Sequence, residues 1–277
     1  MTSAKRFEEL YEEWIERPTL AYRHSVGAAV DLSAEALRQF VQNLHRWRAE
    51  SPYLAGWLLF DYKTFQVTAR DGDADIFGIP ISSKRDLLSR VHPHYFLPYL
   101  RWLKAMYGVL FRHPEKMHQP LLHTFRISLP LRTGTNRYWW FSTDSIVVQL
   151  DAEHRIATVL KVFYQENEWS GFSLRPVEAN IFSRTEGAEG INQELSAQLS
   201  LQIAELFTDA ELDLIALYAK GKPTEAILKV KKWSRHTLHE YNTHLLRKSR
   251  ELFVYDFKNA RQFAEYCRER RIFQFKI

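Results

Sequence analysis

The sequence has almost no cysteine: Cys267 is the only one in 277 residues. One thiol closes no internal disulfide, and it rules out a metal site or a covalent c-type haem built on paired cysteines. Long apolar runs are missing too. No stretch approaches the ~18 consecutive apolar residues of a membrane-spanning helix. The first turns of chain are charged and helical in pattern, unlike a secretory leader. These absences lead to the expectation of a cytoplasmic chain with no membrane partner. Catalytic signatures are absent as well. There is no P-loop, no Gly-x-Ser-x-Gly elbow, no His-Glu-x-x-His and no Gly-x-Gly-x-x-Gly, so the expectation is that the chain is not an enzyme. A phosphoacceptor receiver would need a doubly wound α/β pattern, which the first two hundred or so residues do not show.

What is present is apolar, aromatic and unevenly charged. Hydrophobic residues make up 45% and aromatics 14%, which supports a packed core, a pocket, or both. The length suits two domains. Of 38 basic and 33 acidic residues, 15 and 9 fall between Phe207 and Ile277, leaving 23 and 24 elsewhere. The excess positive charge therefore lies in the last quarter, as in a polyanion-binding module joined to a neutral one.

Residues 4–17 place Phe7, Leu10, Tyr11, Trp14 and Ile15 at helical spacing, with Pro18 as a stop. A second helix is predicted from Ser33 to about Ala49, capped by Asp31 or Ser33. From Gly56 the period changes to that of two short strands joined near Tyr62-Lys63. Gly72 and Gly78 to Pro80 punctuate a loop, residues 83–91 read as a helix, and a longer helix is predicted from about Pro98 to Phe111. Three strands follow, Leu122–Arg132, Tyr138–Leu150 and Ala157–Gln165, turning at Gly134 to Asn136 and at Asp151 to Glu153. Residues 166–190 carry little periodicity, with Pro176, Gly187 and Gly190, and read as a linker.

The C-terminal pattern is sharper. Thr208-Asp209-Ala210-Glu211 is a capping box. Leu212, Ile215, Ala216 and Ala219 follow at helical spacing, and Gly221 supplies a left-handed stop. Pro223 opens a short helix carrying Ile227, Leu228 and Val230. Lys231 to Trp233 form a turn, and Ser234 caps a third helix that buries Leu238, Tyr241 and Leu245 and runs to about Ser249. Asp256 is the expected cap of a fourth, with Ala260, Phe263, Ala264 and Cys267 inward. The third helix would expose Arg235, His236, His239, Thr243 and Arg247, groups that suit base edges and phosphates in a major groove.

From Phe207 to about Lys248 the sequence resembles the LuxR/GerE-type helix-turn-helix family. Phe207-Thr208-x-x-Glu211 is similar to the family's opening Leu-Thr-x-x-Glu, and Ile215, Ala219 and Gly221 stand where it has Leu, Ala and Gly. Ile227 holds the apolar position of the second helix, and Ser234-x-x-Thr237-Leu238 resembles its Ser-x-x-Thr-Val. Leu245 and Lys248 match the end of the recognition helix. Lys231 departs from a usual buried Leu, His239 from Lys, Tyr241 from His, His244 from Asn and Ser249 from Leu. The resemblance implies double-stranded DNA as partner, a homodimer, and a DNA-binding set of Lys222, Thr224, Lys232, Ser234, Arg235, His236, Thr237, His239, Thr243, Arg247 and Lys248.

Gly56–Gln165 resembles the PAS fold. Trp57–Asp61 and Thr64–Ala69 look like its opening strands, Ala74-Asp75-Ile76-Phe77-Gly78 its short helix, and Val91-His92-Pro93 the approach to its long helix. Phe125–Leu131, Tyr138 to Phe141 and Arg155–Phe163 fit its final meander. Trp57, Phe77 and Trp139 are the candidate ligand-pocket residues for a small molecule. Which cofactor, if any, is unknown. Cysteinyl-flavin photochemistry is not expected, because Cys267 lies outside this region. Histidine-bound haem stays open through His92, His94, His113, His118 and His123, and His92-x-His94 lacks a carboxylate at fixed spacing for a metal site.

The expected fold is α+β: a PAS-like antiparallel sheet with helices, then an all-α four-helix LuxR-type helix-turn-helix domain. The expected boundaries are a helical segment over 1–50, the PAS-like sensor over 51–166, a linker over 167–203 and the DNA-binding domain over 204–277. Together they suggest a transcriptional regulator. The alternative is an interaction module that binds no DNA and carries a degenerate helix-turn-helix.

Overall fold

The computed structural model describes residues 3–30, 33–110, 121, 123–171, 179–183, 188–253, 255–269 and 272–273. The chain is α+β, as expected from sequence. Chain contacts divide it into two compact units, one built on Met1–Ser173 and Val177–Asn192, the other mainly on Gln193–Ile277.

The first unit begins with α1 (Ser3–Tyr11), a π turn (Glu12–Glu16) and α2 (Arg17–Ser25). Pro18 was expected to end this helix, and the chain instead passes through it. The Arg17 N–H reaches back to the Glu12 carbonyl, so the wider turn falls just ahead of the proline and makes room for its ring. Next comes α3 (Ala34–Glu50), where the Ser33 side chain accepts from the Ala36 N–H at 3.1 Å, as predicted. Asp31, the other cap considered, lies outside the described residues.

Six strands form one antiparallel sheet in the order β2-β1-β5-β4-β3-β6. They are β1 (Leu54–Asp61), β2 (Val67–Asp71), β3 (His123–Arg132), β4 (Tyr138–Leu150), β5 (Ile156–Glu168) and β6 (Ala179–Ser183). The opening pair is stitched to the last strand of the meander through β1 and β5. Between β2 and β3 run α4 (Asp73–Phe77), α5 (Lys84–Leu88) and α6 (Pro93–Leu110). The last begins five residues before the predicted Pro98. Pro93 supplies the fixed φ of a first helical residue, and buried Tyr95, Phe96, Tyr99 and Leu100 hold the helix across Pro98. Phe111 and Leu122, its predicted end and the predicted start of the next strand, lie outside the described residues.

Both sheet faces are covered. Trp57, Leu59, Val148, Leu160 and Val162 pack with Leu44, beneath Leu37, Phe40 and Val41 of α3. The opposite face meets α4, α5 and α6. Gly78, with φ of 74°, lies so close to Gly134 that a Cβ on either would fall within 3 Å of the other's backbone. That contact joins the end of α4 to the β3–β4 turn, and only glycine permits it.

The span predicted as a linker, 167–203, contains regular structure. Besides β6 it holds most of α7 (Ala188–Ala204). Asn192 imitates a strand partner for β6: it donates to the Ile181 carbonyl at 2.7 Å and accepts from the Ile181 N–H at 2.9 Å. Ile191, Leu195, Leu199 and Ile203 recur every four residues on the buried side of α7, a weak signal in a polar sequence. Pro176 and Gly187 lie outside the described residues.

The second unit adds α8 (Asp209–Ala219), α9 (Thr224–Lys231), α10 (Arg235–Phe253) and α11 (Ala260–Glu269). Ala260, Phe263, Ala264 and Cys267 are buried, as the periodicity predicts. The α11 cap is different: the Asn259 side chain accepts from the Gln262 N–H at 2.9 Å, while Asp256 pairs with Arg250. Asn259 stands directly before the first helical residue, where a short side chain reaches the exposed N–H groups. Among the described residues no helix is long and apolar enough to cross a membrane.

Candidate functional site

The second unit is assembled from local signals that agree with one another. Thr208 and Glu211 form both halves of the capping box that starts α8. The helix ends with the Gly221 N–H on the Tyr218 carbonyl and the Lys222 N–H on the Leu217 carbonyl, and Gly221 takes φ of 71°. This paired closure needs a left-handed residue just past the helix. Lys232, also left-handed at φ of 54°, turns the chain out of α9. Ser234 then caps α10, its Oγ accepting from the Thr237 N–H at 3.0 Å.

Three contacts lock α10 in place. Tyr218 donates to the Asn242 side-chain oxygen at 2.9 Å. Trp233 and Tyr241 stack with ring centroids 4.4 Å apart. Lys248 donates to buried Glu211 at 2.6 Å and to the Leu206 carbonyl at 3.1 Å. Burial works to raise the Glu211 carboxyl, but the hydrogen bonds from Lys248 and Thr208 outweigh it and hold its pKa below the ordinary value.

The departures from the family pattern are accommodated. Lys231 forms an ion pair with Asp213 and lies over the Trp233 ring. Ser249 is fully buried, and its hydroxyl donates to the Leu246 carbonyl at 2.9 Å. Tyr241 supplies the stack with Trp233, so the polar and aromatic replacements contribute contacts.

Opposite the buried stripe of Leu238, Leu245, Ser249 and Leu252, the α10 surface is open. His236, His239, Thr243 and Arg247 are all exposed, and their i, i+3, i+7, i+11 spacing sets them in one line along the helix. Arg235 stands exposed beside this line, with Lys222, Thr224, Lys232 and Ser234 exposed in the segments before it. Arg235 pairs with Glu225 at 2.7 Å, but the side chains are 81% and 72% exposed. Arg247 pairs with Glu251 and His236 with Glu240, also at the surface. Such pairs are worth ~1 kcal/mol or less.

Two residues of the predicted set lie elsewhere. Thr237 is half-buried, its hydroxyl on Ser234 Oγ at 2.9 Å. Lys248 is turned inward to Glu211, away from the exposed line. Conversely, the surface includes His244 and Lys229, which sequence reasoning left out of the set. Their helical phase was the available signal.

The first unit contains a cavity of about 70 Å³ between the sheet and α5 and α6. Its wall includes Phe60, Leu103, Met106 and Val147, with polar atoms from Lys84, His123, Ser145 and Lys161. None of the expected pocket residues lines it. Trp57 points to the α3 face, because β1 alternates and Phe60 takes the cavity side. Phe77 packs on Phe141 and Phe163. Trp139 is half-buried near the strand end, where the β4–β5 register slips.

Lys161 lies opposite Ser145 in the sheet and donates to its Oγ at 3.1 Å. Burial pushes the ammonium down to about 8, against a small opposing effect of Asp144. Lys84 sits 4.5 Å from the ring centroids of Phe65 and Tyr107 and 5.2 Å from that of Tyr62. Its pKa is driven well below normal by burial, with further lowering from Lys161 and Arg23.

His92 and His94 do not line this cavity. His92 lies among rings, 4.1 Å from Trp169 and 4.5 Å from Tyr138, with its Nδ1 accepting from the His94 N–H at 3.3 Å. Burial first and His94 second lower its pKa to about 4. His113 and His118 lie outside the described residues, within which no group of three or more metal-binding side chains occurs.

No family model and no curated protein matches the sequence. A solved structure described as a phage VqmA–DPO complex is similar over 87% of this chain and 92% of that one, at 10% identity and a TM-score of 0.31. So low a score says nothing of partner or ligand.

Proposed function

We propose that the chain is a sequence-specific DNA-binding transcriptional regulator. In this reading residues 204–277 form a LuxR-like helix-turn-helix, and 51–166 a PAS-like unit that senses a small molecule or mediates dimerisation. The observation that carries it is the exposed line on α10, His236, His239, Thr243 and Arg247 with Arg235 beside it, on a helix held by buried contacts on its other side. A helix so presented offers donors of suitable reach to the base edges of a major groove, with Arg235 and Arg247 reaching its flanking phosphates. Ser234 at the N-terminus of α10 lies where a phosphate would meet backbone N–H groups. Lys222, Thr224 and Lys232 supply phosphate contacts from the preceding turns.

Support for the first unit comes from element order. An opening strand pair, a short helix closed by Gly78, a long helix and a three-strand meander follow one another as the PAS resemblance implies. The homodimer follows from the LuxR resemblance, and the ligand would shift the population of that dimer. The proposal assigns the chain no catalytic step. Lys231 and Ser249, which motivate the degenerate alternative, both have partners within the fold.

Duplex DNA affinity measured against salt tests this reading. The wild type is expected to bind with a steep log–log slope, each phosphate contact contributing ~0.9. An R235A/R247A double variant should keep its fold and bind more weakly with a shallower slope. A wild type that binds no duplex at low salt would overturn the proposal.

A further inference from the structure

Two lysines face the same small cavity of the first unit without a carboxylate to answer them. Among the described residues neither Lys84 nor Lys161 has an acidic side chain within ion-pair distance. The neighbouring acid, Asp144, projects from the other face of β4 and is taken bidentately by Arg126 at 2.6 and 2.7 Å. Lys161 is only 8% exposed and spends one of its three N–H groups on Ser145. Lys84, half-buried, lies against rings that stabilise its cation without supplying an opposite charge. The rest of the wall is almost wholly apolar. Cations in such a setting are stable only when an anion joins them or when they lose their protons.

We propose that this cavity binds a short aliphatic monocarboxylate, the anion set on Lys161, Ser145 and Lys84 and the tail against Leu103, Met106 and Val147. The proposal rests on the reading of this unit as a small-molecule sensor and names its ligand class. Size limits the choice: at ~10–15 Å³ for each water-sized group, 70 Å³ has room for about five to seven non-hydrogen atoms, so ligands run from acetate to butyrate. Phosphate and sulfate present oxygens on every side and would set some of them against Leu103, Met106 and Val147, which offer no donor. Neutral isosteres leave the ammonium groups unanswered. A carboxylate matches in charge, in its two acceptor oxygens, and in its apolar tail.

The test uses the full chain and four probes at constant ionic strength: sodium butyrate, sodium acetate, butyramide and inorganic phosphate. Binding is read by calorimetry and by the shift of the melting temperature. Butyrate is expected to bind at least tenfold more tightly than butyramide or phosphate, and K161M to lose that preference while K161R keeps part of it. Equal binding of butyrate and butyramide, stronger stabilisation by phosphate, or no binding of butyrate by the wild type would each overturn the proposal. The wild-type probe comparison stands whether or not K161M folds. Duplex binding is measured on the same preparation: its absence refutes DNA recognition and leaves the butyrate result intact, while carboxylate failure with salt-dependent duplex binding refutes only the ligand class.

Discussion

The two units use lysine in opposite ways. In the first, Lys84 and Lys161 are carried inward on a helix start and a strand, against apolar walls and away from acids. In the second, most of the described cations remain in water, paired loosely at the surface, and an inward-turned ammonium, Lys248, meets a buried carboxylate. The difference teaches how to separate charge kept for binding from charge kept for folding. A buried cation with a matched acid stabilises its own unit. A buried cation without one burdens the fold until something else supplies the anion.

The sharpest way to break this comparison is to replace each lysine by the nearly isosteric methionine. K161M should stabilise the ligand-free chain in urea at pH 7, by on the order of 3 kcal/mol, the size of a pKa depressed from 10.5 to about 8. The sign follows from proton binding. Below about 8 both states hold the proton and the native state bears the full penalty. Between there and the unfolded value the native state has released it, so wild-type stability rises with pH and the K161M advantage shrinks. Loss of stability in K161M at pH 7 would show that the lysine is already compensated within the protein.

The opposite sign is expected in the second unit. K248M strands the Glu211 carboxylate, which keeps only its bonds from Thr208, and should cost about 2 kcal/mol in urea unfolding. Because the Glu211 pKa is lowered, this contribution is present above the unfolded carboxylate value and disappears as pH falls through the folded one. The gap between wild type and K248M should therefore narrow in acid. A smaller effect is expected from S234A, about 1 kcal/mol, because it removes a cap and leaves the packing of α10 untouched. A thermal melt unchanged by S234A would mean that the Thr237 N–H finds water as readily as it found the serine.

Much of the second unit could be read from the sequence because its signals are local. The Thr208–Glu211 box, Gly221, Ser234 and the α11 stripe each depend on neighbours within a turn or two of helix. Asp256 misled because it is a good cap residue three positions too early, while Asn259 is an equally good one in the right place. In the first unit the strands were legible and the cavity was not. Both sheet faces are covered, so β5 runs as Ala157–Phe163 with hardly a polar break, and nothing in that run tells which face Lys161 takes. Trp57 was a candidate pocket residue on the opening strand of the PAS-like pattern. The pairing register sends it to α3 instead, and register depends on partners far away in sequence. Pro18 looked like a helix stop and Pro98 like a helix start because a proline's cost is local, whereas the packing that outweighs it is not.

The central claim is that the exposed line on α10 reads DNA, and salt dependence tests it most directly. The wild type and R235A/R247A are titrated with one labelled duplex library from low to moderate salt. The account predicts a linear fall of log affinity with log salt in the wild type, and a slope lower by up to about 2 in the variant, two phosphate contacts at ~0.9 each. Identical slopes for the two proteins, or no binding by either, would contradict it.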